Sequence, residues 1–147
     1  MNGVYGVGTA YRYEFNVGGD SWDLREIYLP PDGFAGMRFG YAVAANLNST
    51  VVTAEWDNFP YANSGSVYLY RFNNTLQWPL HVKLAATDAQ ADSNLGFVVV
   101  AGTKRIIIGT TRINSFAGSV YMVRAVCAAH RFLTRLRSMT ALKCGHS

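Results

Sequence analysis

The residues best suited to ligand chemistry are Glu55, Trp56 and Asp57, where two carboxylates flank an indole ring. An aromatic ring between acids could stack on a sugar or a cation. The same three residues also fit a solvated loop, since charged side chains are mostly exposed in proteins. The sequence favours the solvated loop and leaves the trio as its candidate binding residues.

Catalytic chemistry has little support in this sequence. His81 lies on a predicted strand with no serine or cysteine nucleophile placed around it by any motif, so we interpret it as a structural or surface histidine. The sequence contains neither a Gly-x-Ser-x-Gly elbow nor a Walker motif. We therefore expect a protein that is not an enzyme, with no catalytic residues and no cofactor.

Four residues near the C-terminus have side chains that could bind zinc: Cys127, His130, Cys144 and His146. The single residue between Cys144 and His146 is a shorter gap than zinc fingers use, so we predict no zinc site. A disulfide between Cys127 and Cys144 stays open as an alternative to free thiols.

A sequence repeat must position Glu55, Trp56, Asp57 and His81. The segment Gly65–Tyr70 recurs as Gly118–Val123 and, more loosely, as Gly8–Tyr13, at spacings of 53 and 57 residues. The segment Asp32–Gly40 aligns with Asp88–Gly96 at a spacing of 56, and Val51–Ala54 aligns with Ile106–Gly109. A period of this length indicates a propeller or a solenoid.

Each repeat unit is predicted to contain four short β-strands. Runs of Val, Ile and Tyr alternate with Gly, Asn, Asp and Ser in a chain that is 50% hydrophobic, 14% aromatic and 15% charged. The predicted strands lie near residues 22–28, 39–44, 50–54, 66–72, 78–84, 97–101, 105–109 and 119–126. Several are apolar on both faces, so each sheet should be covered on both sides.

The order of these landmarks resembles the FG-GAP repeat of seven-bladed β-propellers, which include the head of integrin α subunits. The resemblance rests on Asp32, on Phe39 and Gly40, on Val51–Ala54 and on Asn63–Tyr70. It implies one four-stranded blade per repeat and a role in extracellular adhesion or ligand binding. The expected fold class is all-β, with about two FG-GAP-like β-propeller blades in an incomplete propeller and a C-terminal basic amphipathic helix.

The predicted domains follow from the repeat. Residues 1–124 form the FG-GAP-like propeller segment, divided into a partial blade at 1–31, a full blade at 32–85 and a partial blade at 88–124. Because a propeller closes with four or more blades, we expect either a fragment of a longer protein or a partner chain covering the open blade faces.

The segment 125–147 is predicted to be a helical or disordered basic tail. It carries four basic residues and no acidic residue, whereas residues 1–124 hold nine of each, so the net charge of +4 comes entirely from the tail. Apolar residues recur in it at three- and four-residue intervals. We expect it to cap the last blade or to be unrelated to the repeats, rather than to contact a membrane or nucleic acid.

Two hairpins occupy the place where integrin-type blades often hold calcium. These are Ala45–Ser49 and Gly102–Arg105, and neither contains a carboxylate. Since calcium requires six to eight oxygen ligands, we predict that neither hairpin binds it and that the chain has no metal site.

Location and partners are predicted from the glycosylation sequons and from the FG-GAP resemblance. Asn48 and Asn73 begin glycosylation sequons, which suit an extracellular or cell-surface protein, although Met1–Gly6 lacks the features of a secretory signal. The first prediction is a module that binds a protein or carbohydrate ligand of unidentified nature. The alternatives are a structural subunit that docks its open blades on a partner chain and an accessory repeat region of a secreted hydrolase.

Overall fold

The computed structural model describes residues 6–73, 79–113, 117–124 and 132–133, and these residues form an all-β protein, as predicted. Ten strands follow one another along the chain. They are β1 (Ala10–Asn16), β2 (Ser21–Tyr28), β3 (Phe39–Asn46), β4 (Ser49–Ala54), β5 (Ser66–Arg71), β6 (Leu80–Ala86), β7 (Val98–Ala101), β8 (Arg105–Ile113), β9 (Ala117–Arg124) and β10 (Phe132–Leu133). Among the described residues, no helix has the length and hydrophobicity required to cross a bilayer.

The strands form three sheets. Strands β1 and β2 make an N-terminal sheet, the order β10-β6-β5-β4-β3 makes a central sheet, and β7-β8-β9 make a C-terminal sheet. Neighbouring strands from β1 to β9 are antiparallel within each sheet. The strand positions predicted from the sequence are confirmed to within a few residues wherever the structure describes them.

The predicted C-terminal helix is wrong at Phe132 and Leu133. These residues form β10, which pairs in parallel with Ala85 and Ala86 of β6. The outer edge of β6 offers unpaired backbone groups, and pairing with a further strand satisfies them. The rest of 125–147, including Cys127, His130, Cys144 and His146, lies outside the described residues.

The core consists of two apolar layers, one on each face of the central sheet. The layer shared with the N-terminal sheet includes Tyr28, Val52 and Tyr68. The layer shared with the C-terminal sheet includes Leu69 and Ile108. Every residue of β4 is buried, which explains why the central strands are apolar on both alternating faces.

Strand pairing sets the register of the repeat. Val52 pairs with Tyr68, and Ile108 pairs with Tyr121, so Val52 is equivalent to Ile108 at a spacing of 56 residues. The sequence alignment of Val51–Ala54 with Ile106–Gly109 was therefore wrong by one residue. A run of three isoleucines is apolar on both faces, so hydrophobicity alone does not fix which of them faces which side.

The backbone repeats more closely than the sequence does. Arg38 and Asn94 are 56 residues apart, and both adopt left-handed φ values, 56° and 54°. Left-handed φ values recur at five equivalent pairs of positions: Gly6 and Asn63, Gly8 and Gly65, Gly36 and Asp92, Arg38 and Asn94, and Gly40 and Gly96. Non-glycine residues rarely adopt this conformation, so five coincidences at spacings of 56 and 57 residues show a repeated loop structure.

The same close contact joins each pair of adjacent sheets. In the first junction the Phe39 amide donates to the Val7 carbonyl at 2.7 Å, and in the second the Leu95 amide donates to the Ser64 carbonyl at 2.9 Å. A Cβ on Gly8 would lie 1.9 Å from the Phe39 carbonyl oxygen, and a Cβ on Gly65 would lie 2.3 Å from that of Leu95. Both sites require glycine because the two backbones approach too closely for a side chain.

Candidate functional site

The candidate site lies on three loops at one end of the sheets, which we call the loop surface: residues 29–38, 55–65 and 87–97. The loops are hydrogen-bonded to one another. The Trp56 amide donates to the Met37 carbonyl at 3.3 Å, and the Asp92 amide donates to the Ala62 carbonyl at 2.9 Å. The three loops therefore form one continuous surface on the rigid sheets.

Asp57 is an internal residue of the loop surface, with only 3% of its surface exposed. Its carboxylate accepts hydrogen bonds from the Ser66 hydroxyl and, at 3.1 Å, from the Tyr68 hydroxyl. It also forms an ion pair with Lys83 at 2.6 Å. A buried carboxylate with three such partners holds the loop 55–65 against β5 and β6.

Glu55 is also buried, and its partner is Arg38. The Arg38 guanidinium lies 2.6 Å from the Glu55 carboxylate and 3.4 Å from the centroid of the Trp56 ring. The prediction of a solvated loop is therefore wrong for both carboxylates. Their partners lie far away in the sequence, so no local pattern indicated the pairing.

Trp56 remains the member of the trio that solvent reaches, with 39% of its surface exposed. Tyr61, on the same loop, is 56% exposed. Sequence reasoning did not single out Tyr61 or Arg38, although an aromatic residue on a loop between strands is a signal that could have found Tyr61. The binding role of Glu55, Trp56 and Asp57 stays a prediction.

A recurring Asp–Tyr pair lies beneath the loop surface. The Tyr68 hydroxyl donates to Asp32 at 2.8 Å, and the equivalent Tyr121 hydroxyl donates to Asp88 at 2.7 Å. The two aspartates align in the sequence repeat, and the structure gives each of them a tyrosine partner. The pair ties the loop before each sheet to that sheet's third strand.

Lys83 links Asp32 to Asp57, at 2.5 and 2.6 Å respectively. Burial raises the pKa of Asp32, but the hydrogen bonds from Lys83 and Tyr68 outweigh it, and the pKa lies below its ordinary value. Burial, together with the Asp32 carboxylate, raises the pKa of Tyr68. These shifts favour the charged form of the Asp32 carboxyl group and the neutral form of the Tyr68 hydroxyl group.

An open cleft of about 400 Å³ lies beside this cluster. Its lining residues are Asp32, Phe59, Leu80, His81, Val82 and Lys83. The Lys83 ammonium group lies 4.9 Å from the centroid of the Phe59 ring. Burial, followed by the charge of Arg71, lowers the pKa of His81. The two charged groups that line the cleft, Lys83 and Asp32, are paired with each other.

Further polar groups lie in the β3–β4 hairpin, at the end of the sheets opposite the loop surface. The Asn46 side-chain oxygen accepts from the amides of Asn48 and Ser49, both at 2.9 Å. Asn48 is exposed in this hairpin, whereas Asn73 is partly buried and the rest of its sequon lies outside the described residues.

In the part of the chain that the structure describes, no cluster of three or more His, Cys, Asp or Glu side chains is arranged to hold a metal ion.

Comparison with known families agrees with this geometry. Residues 22–70 match the family model of the FG-GAP repeat. The matched stretch runs from β2 to β5 and contains Phe39, Gly40 and Gly65. No curated protein matches the chain. The chain therefore contains an FG-GAP repeat, and the resemblance seen in the sequence is confirmed.

Proposed function

We propose, from the FG-GAP repeat that this chain contains, that it is a β-propeller repeat module whose function is binding rather than catalysis. The observation that carries the proposal is the junction that occurs twice, at Gly8 and Phe39 and at Gly65 and Leu95. Propellers are built by repeating one sheet-to-sheet packing around an axis. In this proposal each sheet is all or part of one blade.

Binding at the loop surface is the role that its chemistry supports. Glu55 and Asp57 are buried in ion pairs with Arg38 and Lys83, so both carboxylates are engaged within the protein. Its exposed groups include the aromatic side chains of Trp56 and Tyr61, and the Arg38 guanidinium lies over the Trp56 ring. Rigid sheets that present aromatic loops are a common arrangement for recognition.

The proposed ligand is a carbohydrate or a protein that places an apolar surface on Trp56. A sugar ring offers such a surface through its C–H groups, and a protein offers one through its apolar side chains. An extracellular setting suits both ligands and suits the exposed Asn48 sequon. Attachment of a glycan to Asn48 during secretion would support that setting, and its absence from secreted protein would count against it.

The test replaces Trp56 with alanine and measures capture on a glycan array and adhesion of cells to a coated surface. We expect Trp56→Ala to weaken binding by at least about tenfold, because exposed tryptophans at interfaces dominate affinity. Leu47→Ala is the matched control, since Leu47 is 91% exposed in the β3–β4 hairpin at the opposite end. Equal binding by the wild type and Trp56→Ala, with equal melting temperatures, would refute the site.

A further inference from the structure

Two sheet faces of this chain are apolar and exposed. The front face belongs to the N-terminal sheet and consists of three cross-strand pairs: Tyr11 with Ile27, Tyr13 with Leu24, and Phe15 with Trp22. The side chains of the front face are between 46% and 67% exposed. The back face belongs to the C-terminal sheet and consists of Val98, Val100, Ile107 and Val120, which are between 43% and 57% exposed.

The front face occupies repeat positions that are buried in the central sheet. Tyr11 and Tyr13 lie 57 residues before Tyr68 and Tyr70, which are 0% and 4% exposed in the layer shared with the N-terminal sheet. The front face is thus the counterpart of a face that already receives a neighbouring sheet within this chain.

The back face is the counterpart of the other face of the central sheet, which packs on the C-terminal sheet. Ile107 and Val120 are equivalent to Val51 and Val67, both fully buried in the layer shared with the C-terminal sheet. Inside the chain, a face of the front type meets a face of the back type at each of the two junctions. Because a front-type face packs on a back-type face at both junctions, the exposed front face is suited to pack on an exposed back face.

The two sheets that carry these faces differ in net charge. Residues 10–28, which form the N-terminal sheet, hold four acidic and two basic side chains. Residues 98–124, which form the C-terminal sheet, hold four basic side chains and no acidic one. Arg12, Glu14 and Asp23 lie on the side of the N-terminal sheet that is turned away from the front face, so these net charges act between the sheets as wholes and favour the approach of unlike ends of two copies.

We propose that the front face of one copy packs on the back face of a second copy, head to tail, as a third junction of the kind already present twice. This inference rests on the proposed function, because it assumes that the sheets stack as repeat units. A head-to-tail contact uses two different surfaces, so it forms a closed ring or continues into an open chain of copies.

The test measures the mass of the 147-residue chain by light scattering over a range of concentrations. We expect wild type to form assemblies larger than one chain. Tyr13→Asp on the front face and Val100→Asp on the back face should each weaken association by at least about tenfold, since each places a charge at the centre of an apolar interface. Leu47→Asp, in the β3–β4 hairpin and outside both faces, should associate like the wild type.

Mixing the two variants distinguishes head-to-tail packing from symmetric packing. Tyr13→Asp retains a good back face and Val100→Asp retains a good front face, so an equimolar mixture should form a dimer that neither variant forms alone. Self-association of either variant at wild-type strength would overturn the inference. A wild type that stays monomeric would also overturn it, and would assign these faces to residues 125–147 or to another protein. If Phe39 and Leu95 kept their junction hydrogen bonds in that monomer, the proposed repeat module would still stand.

Discussion

At the scale of single residues, buried carboxylates fix the loops of this molecule. Asp57 accepts from Ser66 and Tyr68 and pairs with Lys83, while Asp32 joins the same lysine and the same tyrosine. Such a network is stable only when every member has a partner, because a lone buried charge is costly. The cluster is therefore a sensitive point of the fold.

Replacing Lys83 with methionine tests this cluster. The variant leaves the Asp57 carboxylate, which is only 4% exposed, without its cation. We expect the free energy of unfolding to fall by about 3 to 5 kcal/mol in urea denaturation at neutral pH, as for other broken buried pairs.

The matched control for Lys83→Met is Arg25→Met. Arg25 pairs with Glu14 at 3.4 Å and with Asp23 at 3.2 Å on the surface, where ion pairs contribute about 1 kcal/mol or less. Equal losses in the two variants would contradict the structural role given to Lys83.

The candidate site shows what residue types alone can and cannot reveal. The sequence singled out Glu55, Trp56 and Asp57 because acids flank an aromatic residue. It could not show that the two acids are buried, because their partners Arg38 and Lys83 lie on other segments of the chain. The structure is needed to show that Trp56 is exposed whereas Glu55 and Asp57 are buried.

At the scale of elements, the repeated glycines fix how one sheet meets the next. Gly65 has a φ of 79° and lies against the backbone of Leu95, whereas Gly36 has a φ of 90° and has open space where a Cβ would be. Both positions have a left-handed φ, but only Gly65 lies against another backbone segment. This difference allows the junction to be tested by itself.

We expect Gly65→Ala to lower the free energy of unfolding by about 3 kcal/mol or more. The left-handed conformation costs an alanine about 1 to 2 kcal/mol, and the clash with Leu95 adds to that cost. Gly36→Ala should lose only the first part. Thermal or urea denaturation measures both variants, and a Gly65→Ala variant no less stable than Gly36→Ala would argue against the junction.

Strands were easier to predict than register or edges. Short apolar runs between turn residues marked β3 to β9 closely, since both signals are local. The alignment of the three isoleucines failed by one residue because Ile106–Ile108 has no polar face to orient it. Strand β10 was missed because its two residues form a strand only through pairing with β6.

At the scale of the whole molecule, one packing rule relates the three sheets. Each junction buries apolar side chains of both sheets, and left-handed residues recur in the loops at a spacing of 56 or 57 residues. The sequence predicted this order from weak motif matches, because the glycines that permit close approach stand out in it. It could not predict the left-handed Arg38 and Asn94, which share no residue type.

Amide hydrogen exchange at Phe39 and Leu95 tests the repeated junction most directly. Both amides donate across a junction, to Val7 and Ser64 respectively, and both should exchange only when the sheets separate. The account predicts strong and similar protection at the two amides in the native protein, measured by NMR. Exchange at the rate of an unstructured peptide at either amide would contradict it.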